Sequence, residues 1–219
     1  MDELSYRRAD VTVTLASAGD CLLLDSSDPR AAARARHLFD LDASPRKIHN
    51  HLAQDPLLRP RKGLRVPGCW DPFELAVRAV VGQQVSVKGA STLMGRLYQR
   101  TGLEPKALCQ ADLAGVGLTL SRAATLRALA AAAVGEDLTV AGLSRIRGIG
   151  PWTVQYIAMR AFKDPDAFPA EDLILRRAAS SNGDPLNAKQ LLARAEAWRP
   201  YRAYAVIALW QAYAERRPK

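Results

Sequence analysis

The string Gly148-Ile149-Gly150-Pro151 constrains the fold more than any other stretch of the chain. Glycines permit backbone angles that other residues avoid, and they leave no side chain between a turn and an approaching ligand. Pro151 suits the first position of a helix, and a shorter helix closes near Leu143-Ser144 before the turn. The spacing predicts two helices joined by a tight hairpin over about 139–162. Ile149, set between the glycines, would point inward and pin the turn to the core. The amides of Gly148 and Gly150, beside the N-terminus of the second helix, suit a phosphate group. Such amides position a nucleic-acid backbone without reading its bases. An ordinary helix connection with a glycine C-cap has the same local pattern.

The rest of the chain reads as mainly α. Asp71-Pro72-Phe73-Glu74 is a capping arrangement that opens a helix with Phe73, Ala76, Val77, Val80 and Val81 on one face, ended by Gly82. Ser86 caps the next helix, with Val87, Ala90, Leu93, Met94 and Leu97 facing inward and Gly102 stopping it. Ser121 caps 122–134, and further helices are predicted at 139–144, 151–162, 171–179, 188–198 and 201–215. Pro29 and Pro45 open two earlier ones; Ala33, Arg36, His37 and Asp40 give the first an exposed amphipathic face. A connector rich in proline and glycine covers 55–70, and Asn182-Gly183-Asp184-Pro185 is a turn. Only residues 11–25 read as β-structure: Val11, Val13 and Leu15 alternate with threonines, Ser17 to Asp20 turn, and Cys21 to Leu24 return as one hairpin. The expected organisation is a β-hairpin over 1–27 followed by a helical domain over 28–219.

Charge narrows the partners. Thirty-one Lys and Arg against 22 Asp and Glu leave a net charge of +9, which attracts polyanions such as nucleic acid. No apolar run approaches the roughly 20 residues of a membrane-spanning helix. The N-terminus has no apolar secretion segment. Three scattered cysteines, Cys21, Cys69 and Cys109, form neither a disulfide framework nor a CxxC metal knuckle. A monomer in a bacterial cytoplasm is the expectation.

Three motifs in order carry a resemblance over about residues 70–215. The string 143–153 resembles the helix-hairpin-helix of the DNA glycosylase superfamily; Asp166-Ala167-Phe168-Pro169-Ala170-Glu171-Asp172 stands where that superfamily keeps its aspartate; and Phe73 to Ser86 resembles the 3-methyladenine DNA glycosylase II branch. The resemblance implies two helical subdomains around a cleft, with the short hairpin as a truncated β-domain. It implies release of alkylated purines, of 3-methyladenine and 7-methylguanine type, from double-stranded DNA in base excision repair.

The residues it marks have matching chemistry. Asp172 becomes the catalytic carboxylate, which would stabilise positive charge on the deoxyribose as the bond to the base breaks. By pattern alone it is an N-terminal cap of helix 171–179, and Glu171 is its competitor. Trp152, Tyr156 and Trp210 match base-pocket positions, where aromatic faces hold a cationic alkylated base; core packing suits Trp210 equally. A lysine at the position of Trp152 marks strand-cleaving relatives, so tryptophan implies a monofunctional hydrolase. Gln84, or alternatively Gln83, would be the wedge that fills the gap left by the flipped base. Arg145, Arg147, Arg122 and Lys88 are candidate contacts to the DNA backbone, together with Gly148, Ile149 and Gly150. The carbonyls of Ser144, Ile146 and Ile149 match a cation site at the hairpin. No redox cofactor or nucleotide is implied, and no cysteine follows Cys109, which excludes the C-terminal iron–sulfur cluster of some relatives. Two alternatives stay open: a non-catalytic DNA-binding module, and a glycosylase for neutral deaminated or oxidised bases. Full-length relatives have a larger β-domain, and Leu173 replaces an aromatic that can follow the aspartate.

Overall fold

The start of the chain departs from the single predicted hairpin. In the computed structural model, which describes residues 3–8, 11–18, 21–58, 62–180 and 184–216, it forms a three-stranded antiparallel sheet in the order β1-β2-β3. The strands are β1 (Glu3–Arg8), β2 (Val11–Ala18) and β3 (Cys21–Ser26). β1 was invisible in the sequence because Glu3-Leu4-Ser5-Tyr6-Arg7-Arg8 lacks an alternating pattern of β-branched residues; its pairing, Tyr6 opposite Val13, supplies the strand. Val13 and Leu15 of the central strand are buried against Ala31, Ala35 and Trp70. The predicted turn residues Gly19-Asp20 and Asn182-Gly183 lie outside the described residues.

Helices follow: α1 (Ala31–Phe39), α2 (Pro45–Leu52), α3 (Pro72–Val81), α4 (Val87–Thr101), α5 (Pro105–Gln110), α6 (Leu120–Val134), α7 (Val140–Arg145), α8 (Pro151–Ala161), α9 (Leu173–Ala178), α10 (Ala188–Ala195) and α11 (Arg202–Arg216). The Asp71 carboxylate accepts from the Glu74 amide at 2.9 Å, and the Ser86 hydroxyl accepts from Gly89 at 3.1 Å, so both predicted caps form. Several local expectations do not hold. Pro29 lies ahead of α1, which starts at Ala31 behind Arg30 as its N-terminal cap. α6 is capped by Thr119, whose hydroxyl accepts from the Arg122 amide at 3.2 Å, so Ser121 lies inside the first turn. Val87, at the first position of α4, is 87% exposed: it shares a face with Met94 but stands nearly two turns before Leu93, Met94 and Leu97, where that helix becomes buried. Asp40 is buried, not exposed: it ends α1 in the left-handed region, accepts from the Val66 amide at 2.9 Å and pairs with Lys163 at 2.8 Å. α5 lacks a side-chain cap and has only six residues, too few for a periodic signal.

The helices bury two separate cores. One gathers α3, α4, α6 and α7 around Val77, Leu97, Leu126 and Leu143. The other gathers α2, α9, α10 and α11 around Leu52, Leu175, Leu191 and Trp198. α8 divides them, giving Val154 and Ile157 to the first and Ala158 and Met159 to the second. Tyr156 and Phe162 touch both. Two subdomains therefore share one helix, and the open end of their junction lies at its first turns.

Candidate active site

The hairpin between α7 and α8 is built from the inside outward. Ile149 is 6% exposed, and its amide donates to the Ile146 carbonyl at 3.1 Å, closing the turn. Gly148 has φ +93, and a Cβ there would lie 2.2 Å from the Thr125 hydroxyl. That hydroxyl reaches the Arg147 carbonyl at 2.9 Å, locking the turn to α6. Gly150 differs: its φ is −83, and a Cβ would meet nothing within 4 Å. The protein itself does not require glycine there, so the open space faces outward, where a ligand would approach. Among the described residues no hydrogen bond reaches the carbonyl of Ser144 or Ile149, leaving both with free lone pairs.

The loop joining α3 to α4 is strapped onto this hairpin by Gln83. Its side-chain amide donates to the Gly148 carbonyl and to the Thr153 hydroxyl, each at 3.2 Å. Its backbone carbonyl accepts from the Arg122 guanidinium at 2.6 Å. Gln84 is instead exposed and sits at φ +55 at the tip of the loop. Of the two glutamines, one is tied down and one projects. Among the basic residues, Arg122 serves this strap and Arg145 pairs with Asp137, whereas Lys88 and Arg147 are exposed.

Asp172 arrives from the opposite side. The segment before it is fixed where the Phe168 amide donates to the Gln155 side chain at 2.9 Å, the Asp172 amide donates to the Pro169 carbonyl at 2.9 Å, and Arg202 pairs with Asp166. Asp172 does cap α9, accepting from the Leu175 amide at 2.9 Å. The same half-buried carboxylate accepts from the Trp152 indole at 2.9 Å and from the Trp210 indole at 3.4 Å. The capping and pocket readings therefore describe one residue. Glu171 is exposed, as is Leu173 at 45%. Trp210 both packs against the second core and reaches Asp172. The rings of Trp152 and Tyr156 stack, with centroids 5.1 Å apart and planes 9° from parallel. They wall a cleft of about 470 Å³ whose far side is Leu75, Arg78 and Ala79 of α3 and whose rim is Gln83 and Gln84. Gln155 and Arg160 contribute to this arrangement without having been singled out in the sequence; the i, i+4 spacing of Arg160 from Tyr156 was the available signal.

An aspartate held by two indoles beside a helix-hairpin-helix, at the junction of two helical subdomains, is the layout of a base-excision enzyme fold. The chain belongs to the HhH-GPD superfamily of base excision DNA repair proteins, whose sequence model matches residues 77–200. The model of the AlkA N-terminal domain matches residues 5–71, taking in the sheet, α1 and α2. The chain is 39% identical over 208 residues to the probable bifunctional transcriptional activator/DNA repair enzyme AlkA of Mycobacterium tuberculosis, covering 82% of itself but only 42% of that protein. It is 34% identical over 203 residues to DNA-3-methyladenine glycosylase 2 of Escherichia coli, covering 81% of itself and 70% of the relative. The crystal structure of a DNA-3-methyladenine glycosidase from Bacillus halodurans superposes with a TM-score of 0.67 at 26% identity, over 79% of this chain and 92% of that one. Among the described residues no helix is long and apolar enough to cross a membrane, and no three His, Cys, Asp or Glu side chains gather as metal ligands.

Proposed function

We propose that the chain is a monofunctional DNA glycosylase of base excision repair, hydrolysing the N-glycosidic bond of alkylated purines in double-stranded DNA. The observation that carries this reading is the Asp172 carboxylate, fixed by three N–H donors, one of them the indole of Trp152 in the wall of the aromatic cleft. The names of the relatives, DNA-3-methyladenine glycosylase 2 above all, support it.

The hairpin grips a phosphate through the amides at Gly148 and Gly150, with Lys88 and Arg147 as exposed cations nearby. Ser144, Ile146 and Ile149 would lend carbonyls to a cation that steadies this grip. Gln84 projects into the duplex as the flipped nucleotide leaves, while Gln83 holds the loop. The base enters beside Trp152 and Tyr156, whose π-faces attract a cationic purine by about 0.5–2 kcal/mol per contact. The glycosidic bond then breaks with its electron pair going to the base, which departs neutral. Positive charge develops on the sugar, and the Asp172 carboxylate stabilises it. Water attacks C1′ and releases one proton to the solvent, leaving an abasic sugar. No lysine is among the residues walling the cleft, which supports hydrolysis over a Schiff-base lyase route.

Release of free base from methylated duplex DNA, measured chromatographically, tests the reading. Wild type should release base; Asp172→Asn should not, while retaining its affinity for DNA. Tight DNA binding by wild type with no base released from any of 3-methyladenine, 7-methylguanine, hypoxanthine or ethenoadenine duplexes would establish the non-catalytic alternative. Incubation of the abasic product without strand cleavage tests the absence of lyase activity.

A further inference from the structure

Behind the aromatic wall sits a cation that the reaction described above does not use. Trp152, Tyr156 and Arg160 fall at i, i+4 and i+8 on α8 and so form one column along the helix. The Arg160 guanidinium lies 5.6 Å from the centre of the Tyr156 ring, and its Nη1 approaches the Tyr156 hydroxyl at 3.4 Å. Its Nε is buried and has no hydrogen-bond partner, and among the described residues no carboxylate lies within ion-pair range of it. A half-buried guanidinium left without a counter-charge is costly. Yet nearby basic residues such as Arg78, Lys163 and Arg202 all have one. At the other end of the same column the Trp152 indole donates to Asp172. The aromatic wall is thus bracketed by a positive charge at one end and a negative charge at the other.

We infer that Arg160 is a positioning residue whose charge drives the reaction electrostatically and sets how cationic and neutral bases are discriminated. This rests on the glycosylase reading of the cleft. When the bond between base and sugar breaks, one unit of positive charge moves off the base and onto the sugar. A cationic base becomes neutral; a neutral base acquires its departing electron pair as negative charge. In both cases positive charge moves away from Arg160 and toward Asp172, so the guanidinium lowers the barrier for both. Before cleavage the two substrates differ. Arg160 repels a cationic base and occupies part of the attraction that Tyr156 can offer a cation, whereas a neutral base feels neither effect. The residue therefore weakens ground-state binding of the cationic lesion only. Because the charge that leaves the base reappears on the sugar only a few ångströms farther from the guanidinium, the two terms largely offset; for roughly half a charge moving from about 8 to about 12 Å at an effective dielectric of about 20, the rate effect is on the order of twofold.

The experiment uses the full chain and two duplexes, one containing 7-methylguanine and one hypoxanthine, in single-turnover assays over a range of enzyme concentration. For Arg160→Gln the maximal rate should fall about twofold on both duplexes, while the half-saturating enzyme concentration falls for 7-methylguanine alone. Arg160→Lys, which keeps the charge and loses the planar fork, should stay near wild type. Arg160→Met, apolar and of similar length, replaces the glutamine variant if that one melts early. Unchanged maximal rates in the uncharged variants, or a lysine variant as impaired as they are, would overturn the inference and leave Arg160 a packing residue. Failure of the glycosylase reading is distinguishable, since wild type itself would then release neither base.

Discussion

Replacing each hairpin glycine by alanine separates the part of the turn that the fold needs from the part that faces a ligand. At Gly148 an alanine must adopt φ +93, a conformation that costs a non-glycine residue about 1–2 kcal/mol. Its Cβ would also lie 2.2 Å from the Thr125 hydroxyl, which must move and lose its hydrogen bond to the Arg147 carbonyl, worth about 1 kcal/mol. The sum, about 2–3 kcal/mol, corresponds to a fall in Tm of roughly 5–10 °C for a chain of this size. Gly150 has an ordinary φ of −83 and open space beyond it, so Gly150→Ala should melt within about 1 °C of wild type. It should nevertheless bind undamaged duplex DNA several-fold more weakly, because the new methyl occupies the approach to the amides. Thr125→Ala in the Gly148→Ala background tests the clash directly. The double variant should be less destabilised than the two single losses added together, by about 1 kcal/mol. Calorimetry and fluorescence anisotropy with a labelled duplex measure both quantities. Equal Tm losses for the two glycines, or full DNA affinity in Gly150→Ala, would refute the division of roles.

Three further outcomes follow from specific contacts. Trp152→Phe keeps an aromatic ring but removes the indole donor to Asp172; base release from methylated DNA should fall about tenfold or more with DNA affinity unchanged, and an undiminished rate would show that the hydrogen bond is catalytically idle. Burial pushes the Asp55 carboxyl up, but hydrogen bonds from the Leu57 amide, Trp198 and Arg194 more than compensate, so it titrates below the usual carboxylate range. A lowered folded value contributes stability above an unfolded pKa of about 4 that is lost as pH falls through the folded value, so melting between pH 5 and 3 should depend less on pH in Asp55→Asn than in wild type. Cys69 is buried, and burial pushes its thiol up to about 12, so a thiol reagent at pH 8 should label exposed Cys21 and leave Cys69 unmodified until the chain unfolds.

Much of the helical framework was legible because its signals are local. Asp71, Ser86 and Pro151 each announce a helix start by satisfying, or not needing, an orphan amide within one turn, and the apolar face of α3 is buried as its spacing predicts. The hairpin was legible for the same reason. The first strand was not, because its place depends on pairing with β2, from Arg8 opposite Val11 to Glu3 opposite Ala16, and not on a pattern of its own. Nor was the burial of Asp40, which follows from Val66 and Lys163 folding over it. Asp172 carried two readings in one dimension; capping a helix and bonding the indole of the cleft wall turn out to be compatible, since one carboxylate has lone pairs enough for an amide and two indoles.

The amino-acid order alone determined a mainly helical chain, a glycine-walled hairpin and a positive surplus suited to a polyanion, since each depends on spacing or on summed charge. The tertiary structure alone decided that Gln83 is strapped down while Gln84 projects, that Trp152 and Trp210 share one carboxylate, and that Arg160 stands uncompensated behind the aromatic wall. Those relations join residues up to 70 positions apart, and only the packing of two cores against a common helix brings such distant groups within a few ångströms.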